Sequence, residues 1–276
     1  MGIRNYWPRI RRIWITVGIS VTVVFVGWSL IAYRADAEAE AATISDDVVA
    51  VSATQGIWQF SPTRPSKSAT LIFFPGALVD PIAYAPLARS VAAAGYPVLL
   101  VELPYRGAFG GAESAELWAR ISSALALIPS DHAVVVGGHS RGGVVASTLA
   151  AQAPEPDGLI LIGTSHPRDV DLSKLEVPVT KIVGTRDGLA SPEEVEQNAF
   201  LLPDRTRWVW VEGGNHSQFG WYGFQPLDLW AKVAAAEQRR IMTEKVLQLL
   251  QTVESNKTSS LYCLNNCKPK RLSSNS

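Results

Sequence analysis

Residues 134–143, VVVGGHSRGG, join a β-branched apolar run directly to small residues, one histidine and one serine. The apolar run is typical of a strand buried in a sheet, and residues 143–154 are typical of a helix. Between them, Gly138-His139-Ser140-Arg141-Gly142 fits the pattern G-x-S-x-G, which places a serine on a tight turn from strand to helix. Glycines beside such a turn remove Cβ atoms that would collide with neighbouring backbone. The stretch predicts an exposed serine in strained backbone; the alternative is a small-residue turn that packs a helix closely against a sheet.

The flanking sequence predicts an α/β fold with a mostly parallel central sheet. After a hairpin over 48–60, continuously apolar strands alternate with helices from residue 69 to residue 214, and a last helix is predicted over 228–252. Such interleaving implies βαβ units with helices on both faces of the sheet. Ligands bind such sheets at the carboxyl ends of the strands. Only residues 165–178 separate two consecutive strands where a cap domain would be inserted, so we expect no cap domain.

A nucleophilic serine needs a base to take its proton and an acid to orient that base. Of the four histidines, His132 precedes its strand and His139 adjoins Ser140, so neither is suited to be the base. His216 lies in EGGNHSQFG, a glycine-rich loop after the final strand, and we predict it as the base ahead of His166.

Asp187, in KIVGTRDG, follows the strand between the serine and His216 and is the predicted acid. An isolated aspartate in such a place more often caps a turn. The order serine, aspartate, histidine is nevertheless the one expected for this strand–turn–helix arrangement.

Two backbone N–H groups are needed to hold the oxyanion of a tetrahedral intermediate. One is expected from Arg141, directly after the serine, and the other from Ala77, in FFPGALVDP after an early strand, with Leu78 as the alternative. The residues predicted to line the substrate pocket are Leu78, Tyr105, His166, Phe219 and Trp221. Most aromatic residues that follow His216 are expected to be core residues, since aromatic side chains are largely buried. No motif indicates a metal, phosphate or nucleotide site, so no cofactor is predicted.

These residues resemble the α/β-hydrolase superfamily, and more narrowly a compact, lid-poor subgroup distantly similar to dienelactone hydrolases. The resemblance covers about residues 48–252 and is carried by FFPGALVDPIAYAPLARSVAAAGYPVLLVELP, GGHSRGG, GTRDGLASPE and EGGNHSQFGWYGFQP. It implies Ser140 as nucleophile, Asp187 as acid and His216 as base. The chain departs from the subgroup at Arg141, where Leu or Met is common, and over residues 226–234, PLDLWAKVA, where a more glycine-rich polar stretch is expected.

Residues 13–33 contain no charged side chain between Arg12 and Arg34. A helix of that length is about 31 Å long and matches the hydrocarbon core of a bilayer. The arginines that precede it, in residues 1–12, favour a cytoplasmic N-terminus, with the domain on the far side of the membrane. We predict an uncleaved single-pass anchor; the alternative is a signal peptide cleaved near Ala37, which would leave a secreted protein.

The predicted organisation continues with a spacer over 34–47, a catalytic domain over 48–254 and a disordered basic tail over 255–276. Residues 35–256 contain 16 basic and 25 acidic side chains and therefore carry a net negative charge. A net negative domain without a cluster of basic residues argues against nucleic acid as a partner. Cys263 and Cys267 both lie in the tail, and we assign them no function.

Together these features predict a membrane-anchored serine hydrolase that acts on small-molecule carboxylic esters through an acyl-enzyme. An acyltransferase or a peptidase would use the same residues and differ only in the second nucleophile or the leaving group. A non-catalytic binding module of the same fold is a separate hypothesis, because a fold does not determine a function.

Overall fold

The computed structural model describes residues 7–152 and 154–266, and only the backbone of Leu30 and of residues 260–266. One sheet of eight strands, in the order β1-β2-β4-β3-β5-β6-β7-β8, forms its centre. The strands are β1 (Val49–Thr54), β2 (Ile57–Pro62), β3 (Ala69–Phe74), β4 (Val98–Val101), β5 (Ala133–His139), β6 (Gly158–Ile162), β7 (Val179–Gly184) and β8 (Arg207–Val211). β2 pairs antiparallel with β1 and with β4, and all other pairs are parallel.

The predicted mostly parallel sheet is confirmed, and its centre is the most buried part of the chain. Every residue of β3, β4, β6 and β7 is buried, as expected for strands covered on both faces. Phe74 pairs with Gly138, and His139 pairs with Ile162. The carboxyl ends of β3, β5 and β6 therefore lie side by side, with Ser140 at the end of the middle strand.

Seven α-helices accompany the sheet within the described residues. They are α1 (Trp7–Ala32), α2 (Ala37–Ala41), α3 (Ala85–Ala93), α4 (Ala115–Ala126), α5 (Arg141–Ala150), α6 (Pro192–Gln197) and α7 (Ala235–Asn266). Apolar residues of α3 and α7 pack on one face of the sheet, and those of α4 and α5 pack on the other. The segment 163–178, all of it described, contains no helix or strand, so the expectation that no cap domain is present is confirmed.

The N-terminal apolar segment forms the single long helix α1. Its stretch Trp7–Ser29 is long and apolar enough to cross a membrane, with a mean hydropathy of 1.6, and is not buried by the rest of the protein. The expected spacer over 34–47 is wrong as a description of this region. Asp36 caps α2 by accepting a bond from Ala39 N–H, and the side chains of Ala39 and Ala42 are buried in the core. These small side chains allow α2 to pack directly on the domain.

The C-terminal helix begins later and ends later than the sequence predicts. Residues 228–234 form no helix, because Leu227 adopts a positive φ of 73° and the Asp228 carboxylate binds backbone N–H groups of other loops. At the other end, residues 255–266 are helical rather than disordered. Ser255 and Thr258 donate hydrogen bonds to carbonyls one turn back, so these polar side chains are satisfied within the helix. Residues 267–276, with Cys267, lie outside the described residues.

Candidate active site

Ser140 occupies a sharp turn between β5 and α5. Its backbone angles, φ 52° and ψ −117°, lie in a region that a residue with a side chain rarely adopts. A Cβ atom at Gly142 would lie 2.0 Å from the Phe74 carbonyl oxygen, and one at Gly138 would lie 2.3 Å from the Gly142 backbone. Because backbone cannot move aside cheaply, only glycine fits at these two positions. The interpretation of residues 134–143 as a strained turn is therefore confirmed in its geometry.

The structure brings Asp187 and His216 together. Asp187 follows β7 and His216 follows β8, and each is about 1% exposed. The Nδ1 atom of His216 lies 3.0 Å and 2.9 Å from the two carboxylate oxygens of Asp187. Asp187 Oδ1 also accepts bonds from the N–H groups of Leu189 and Ala190, at 2.9 Å and 2.7 Å. These bonds fix the carboxylate, which in turn fixes the orientation of the imidazole.

The His216 ring lies beside the serine turn, and its other nitrogen is free. The rings of His139 and His216 pack with centroids 4.4 Å apart, and His139 directly precedes Ser140. The buried Nε2 of His216 has no hydrogen-bond partner among the described residues, so no bond to Ser140 Oγ is formed in this structure. Hydrogen bonds of this kind are often long before substrate binds.

Buried carboxylates hold the pKa of His216 above its ordinary value. Burial by itself lowers this pKa, but the charge and hydrogen bonds of Asp187, and then the charge of Asp228, outweigh it. The adjacent His139 behaves in the opposite way, since burial and the neighbouring His216 depress its pKa well below the ordinary value. His139 is therefore neutral beside His216 and adds no opposing positive charge.

Asp228 is a residue of the candidate site that the sequence did not predict. Its Oδ1 accepts bonds from the N–H groups of Gly188, His216 and Leu229, at 3.1, 3.3 and 2.8 Å. Its Oδ2 accepts from Ser217 N–H at 2.8 Å and Ser217 Oγ–H at 2.6 Å. One buried carboxylate thus connects the turn after Asp187 with the loop that carries His216. A lone acid within apolar PLDLW is the only signal of it in the sequence.

The turn after β3 approaches Ser140 from the other side. Neither the Ala77 nor the Arg141 N–H donates a hydrogen bond within the described part of the chain, so both predicted oxyanion donors are free. The Leu78 N–H donates to the Arg106 carbonyl at 2.7 Å, which excludes Leu78 as the alternative donor. A Cβ atom at Gly107 would lie 3.7 Å from Ala77 Cα and 3.6 Å from Arg141 Cγ, so both segments lie against the same loop.

Tyr84 holds this turn in place. Its fully buried hydroxyl accepts a bond from Gly76 N–H at 3.1 Å and lies 2.7 Å from His139 Nδ1. The Tyr84 hydroxyl and His139 Nδ1 thus share one hydrogen bond in the buried interior. One hydroxyl therefore links the residue before Ala77 to the residue before Ser140.

The comparisons with known proteins agree with this architecture. A model of the alpha/beta hydrolase family matches residues 70–240, more than half of the chain. The chain belongs to the alpha/beta hydrolase family. It is a hydrolase by that membership, whereas the narrower similarity to dienelactone hydrolases stays a prediction. A search of curated protein sequences finds no match.

Solved structures with the same fold include several hydrolases. A predicted CIB-like hydrolase from Thermoplasma acidophilum is 16% identical, with a TM-score of 0.54 over 72% of this chain and 99% of its own. One of the metagenome-derived lipolytic enzymes LipS and LipT is 15% identical, with a TM-score of 0.51 over 76% and 99%. The esterase domain of a Rhodothermus marinus protein is 14% identical, with a TM-score of 0.52 over 70% and 90%. At these identities the likeness concerns the fold alone.

Two of the residues predicted to line the substrate pocket of this hydrolase are core residues instead. Phe219 is fully buried and packs its ring 5.8 Å from that of His139. Trp221 is also buried, and the guanidinium of Arg239, on α7, lies over its ring at 4.6 Å. Both side chains belong to the buried core that includes residues of α3 and α7, so the structure does not support either as a pocket residue.

The other predicted pocket residues lie near the carboxyl edge of the sheet. His166 follows β6, and burial and the charge of Arg168 lower its pKa to about 4, so it is neutral near pH 7. Its only carboxylate neighbour within 4.0 Å among the described residues is Asp169, which is exposed. Leu78 and Tyr105 line an apolar groove beside α1.

Arg141, the residue after Ser140, points toward the loop after β4. Its guanidinium pairs with Glu113, which ties that loop to the N-terminus of α5. No group of three or more histidine, cysteine, aspartate or glutamate side chains within the described ranges could hold a metal ion.

Proposed function

We propose that this protein is a serine hydrolase that cleaves carboxylic esters with Ser140, His216 and Asp187. The observation that carries the proposal is the buried Asp187–His216 pair, whose free Nε2 belongs to a ring packed beside the strained turn of Ser140. Lipolytic and esterase domains among the proteins of the same fold support an ester as substrate.

In the first half of the reaction, His216 Nε2 takes the hydroxyl proton while Ser140 Oγ attacks the carbonyl carbon. The N–H groups of Ala77 and Arg141 receive the negative charge that forms on the carbonyl oxygen. The tetrahedral intermediate then collapses, the ester C–O bond breaks, and protonated His216 gives its proton to the departing alcohol.

In the second half, water attacks the acyl-serine and gives a proton to His216. Protonated His216 then returns a proton to Ser140 Oγ as the bond between this oxygen and the acyl carbon breaks, and the acid leaves. Asp187 keeps Nδ1 protonated throughout, so that Nε2 is the nitrogen that accepts and returns the proton. No step of this reaction requires a group from outside the chain other than water.

The test uses the full chain in detergent with a fluorophosphonate probe and p-nitrophenyl esters of increasing chain length. We expect labelling at Ser140, mapped by mass spectrometry, and ester turnover, and both should be lost in Ser140→Ala. Ser123→Ala, an exposed serine on α4, is the matched control and should keep both. A folded protein with neither labelling nor turnover would favour the non-catalytic binding module.

We also infer that α1 anchors the hydrolase in a membrane, with residues 1–12 on the cytoplasmic side. The exposed apolar surface of α1 supports this, and so does α2, a helix that begins at Ala37, beside the alternative cleavage site, and packs on the domain through Ala39. Intact mass and resistance to alkaline carbonate extraction test the anchor. Proteolysis of sealed vesicles tests its orientation.

A further inference from the structure

An apolar groove with a volume of about 350 Å³ separates α1 from the loop after β4. We call it the α1 groove. Its main walls are formed by Phe25, Val26 and Ser29 of α1 and by Leu78, Tyr105 and Phe109 of the domain. Its volume is within the range of small-molecule sites, and its lining is almost entirely apolar.

The α1 groove shares a wall with the candidate oxyanion site. Leu78 directly follows Ala77, and its N–H bond to the Arg106 carbonyl joins the β3 turn to residues 104–109. In the same loop, Gly107 lies against both Ala77 and Arg141. The groove and the candidate oxyanion donors therefore border the same loop, residues 104–109.

The end of α1 is fixed to the catalytic loops by backbone hydrogen bonds. Asp80 N–H donates to the Tyr33 carbonyl at 2.8 Å, and Gly223 N–H donates to the Ala32 carbonyl at 2.8 Å. Asp36 N–H donates to the Trp221 carbonyl at 2.9 Å. Because these bonds involve both the turn after β3 and the loop after His216, α1 in a membrane holds the site at the bilayer surface.

Exposed apolar side chains lie at the opening of the groove. Phe109 is 98% exposed and has a positive φ of 50°, and Tyr105 is 73% exposed. On the other wall, Phe25 and Val26 belong to the stretch of α1 that is apolar enough to span a membrane. One wall of the groove is thus continuous with the surface that lipid would cover.

We propose that the α1 groove receives the acyl chain of a lipid ester drawn from the bilayer, while the ester carbonyl reaches Ser140. The proposal rests on the proposed function, because it names the substrate class of the same catalytic residues. An acyl chain matches the apolar lining, and the bilayer is the source that the position of α1 makes accessible.

The test compares two esters with the full chain reconstituted in vesicles of ether-linked phosphatidylcholine, which contain no ester of their own. p-Nitrophenyl palmitate is incorporated into the vesicles, and p-nitrophenyl butyrate is added in water. We expect kcat/KM for the palmitate to exceed that for the butyrate about tenfold or more.

The deciding variant is Ser29→Trp, which fills the groove from the α1 side. It should lower palmitate turnover about tenfold while butyrate turnover and fluorophosphonate labelling change less than about twofold. Ser20→Trp is the matched control, since Ser20 is exposed about two and a half turns earlier on the opposite side of α1. It should leave both esters unaffected.

The outcomes separate the two proposals. Persistent labelling and butyrate turnover, with no preference for palmitate or with equal effects of Ser29→Trp on both esters, would overturn the acyl-chain site alone. Loss of labelling and of all turnover in the wild-type chain would overturn the proposed function, and the acyl-chain site with it.

Discussion

Replacing Asp228 by asparagine tests how the structure positions His216, the proposed base. The carboxylate accepts five hydrogen bonds, and three of their donors are His216 N–H, Ser217 N–H and Ser217 Oγ–H. An amide has one acceptor oxygen, so if that oxygen faces His216 its NH₂ group must face Ser217. A buried N–H without a partner costs about 1–3 kcal/mol, and the remaining bonds lose their charge assistance.

We therefore expect Asp228→Asn to destabilise the protein by about 2–4 kcal/mol. For a domain of this size the melting temperature should fall by roughly 4–16 °C. The His216 loop should also lose its position, and a displacement of about 1 Å can reduce the rate about a hundredfold. We expect kcat/KM for p-nitrophenyl esters to fall by about 10-fold to 100-fold, mostly through kcat.

A second readout separates the charge of Asp228 from its structural role. The Asp228 carboxylate raises the pKa of His216, and only neutral His216 can act as the base. Removing the charge should lower that pKa, so the acid limb of the kcat/KM profile should move to lower pH. Asp204→Asn, an exposed aspartate, is the matched control and should change neither property. An unchanged melting temperature together with an unchanged acid limb would refute the role assigned to Asp228.

Three further predictions follow from the same geometry. In the wild-type protein the acid limb of the kcat/KM profile should have its midpoint above pH 6.5, because the pKa of His216 is raised above its ordinary value of 6.5. A midpoint below pH 6.5 would contradict the ion pair between His216 and a buried carboxylate. Tyr84→Phe should cost about 1–3 kcal/mol in thermal or chemical unfolding, since it leaves Gly76 N–H and His139 Nδ1 without their shared partner. Gly142→Ala should abolish fluorophosphonate labelling and lower the free energy of unfolding by about 3 kcal/mol or more. Gly27→Ala is the control and should be tolerated, because no atom lies within 4 Å of a Cβ added at Gly27. A Gly142→Ala protein that is still labelled would contradict the tight turn.

The sequence was informative where a short motif and the order of elements carry the information. Residues 134–143 predicted a strained turn, and the structure confirms its backbone. The alternation of apolar strands and helices predicted the sheet, because strands covered on both faces leave a continuous apolar pattern. Asp187 and His216 were predicted from their places after consecutive strands, and the structure brings them within hydrogen-bonding distance.

The errors lie where a pattern of residue types does not reveal which surface a side chain meets. Phe219 and Trp221 were expected in the pocket, yet both side chains are buried in the core. The polar residues 255–266 were expected to be disordered, yet they continue α7, and Lys257 bonds to the His132 carbonyl at 2.6 Å. Composition alone cannot show such contacts, since they depend on elements far away in the chain.

The amino-acid sequence by itself determined the fold class, the serine turn and the apolar helix α1, because each depends on residues close together in the chain. Tertiary structure alone decided that Asp228 supports the His216 loop, that Tyr84 links the two turns, and that the end of α1 is fixed beside the turn after β3 and the loop after His216. Those contacts join segments separated by many residues. Their positions follow from packing around one sheet, which brings the carboxyl ends of distant strands to a single edge.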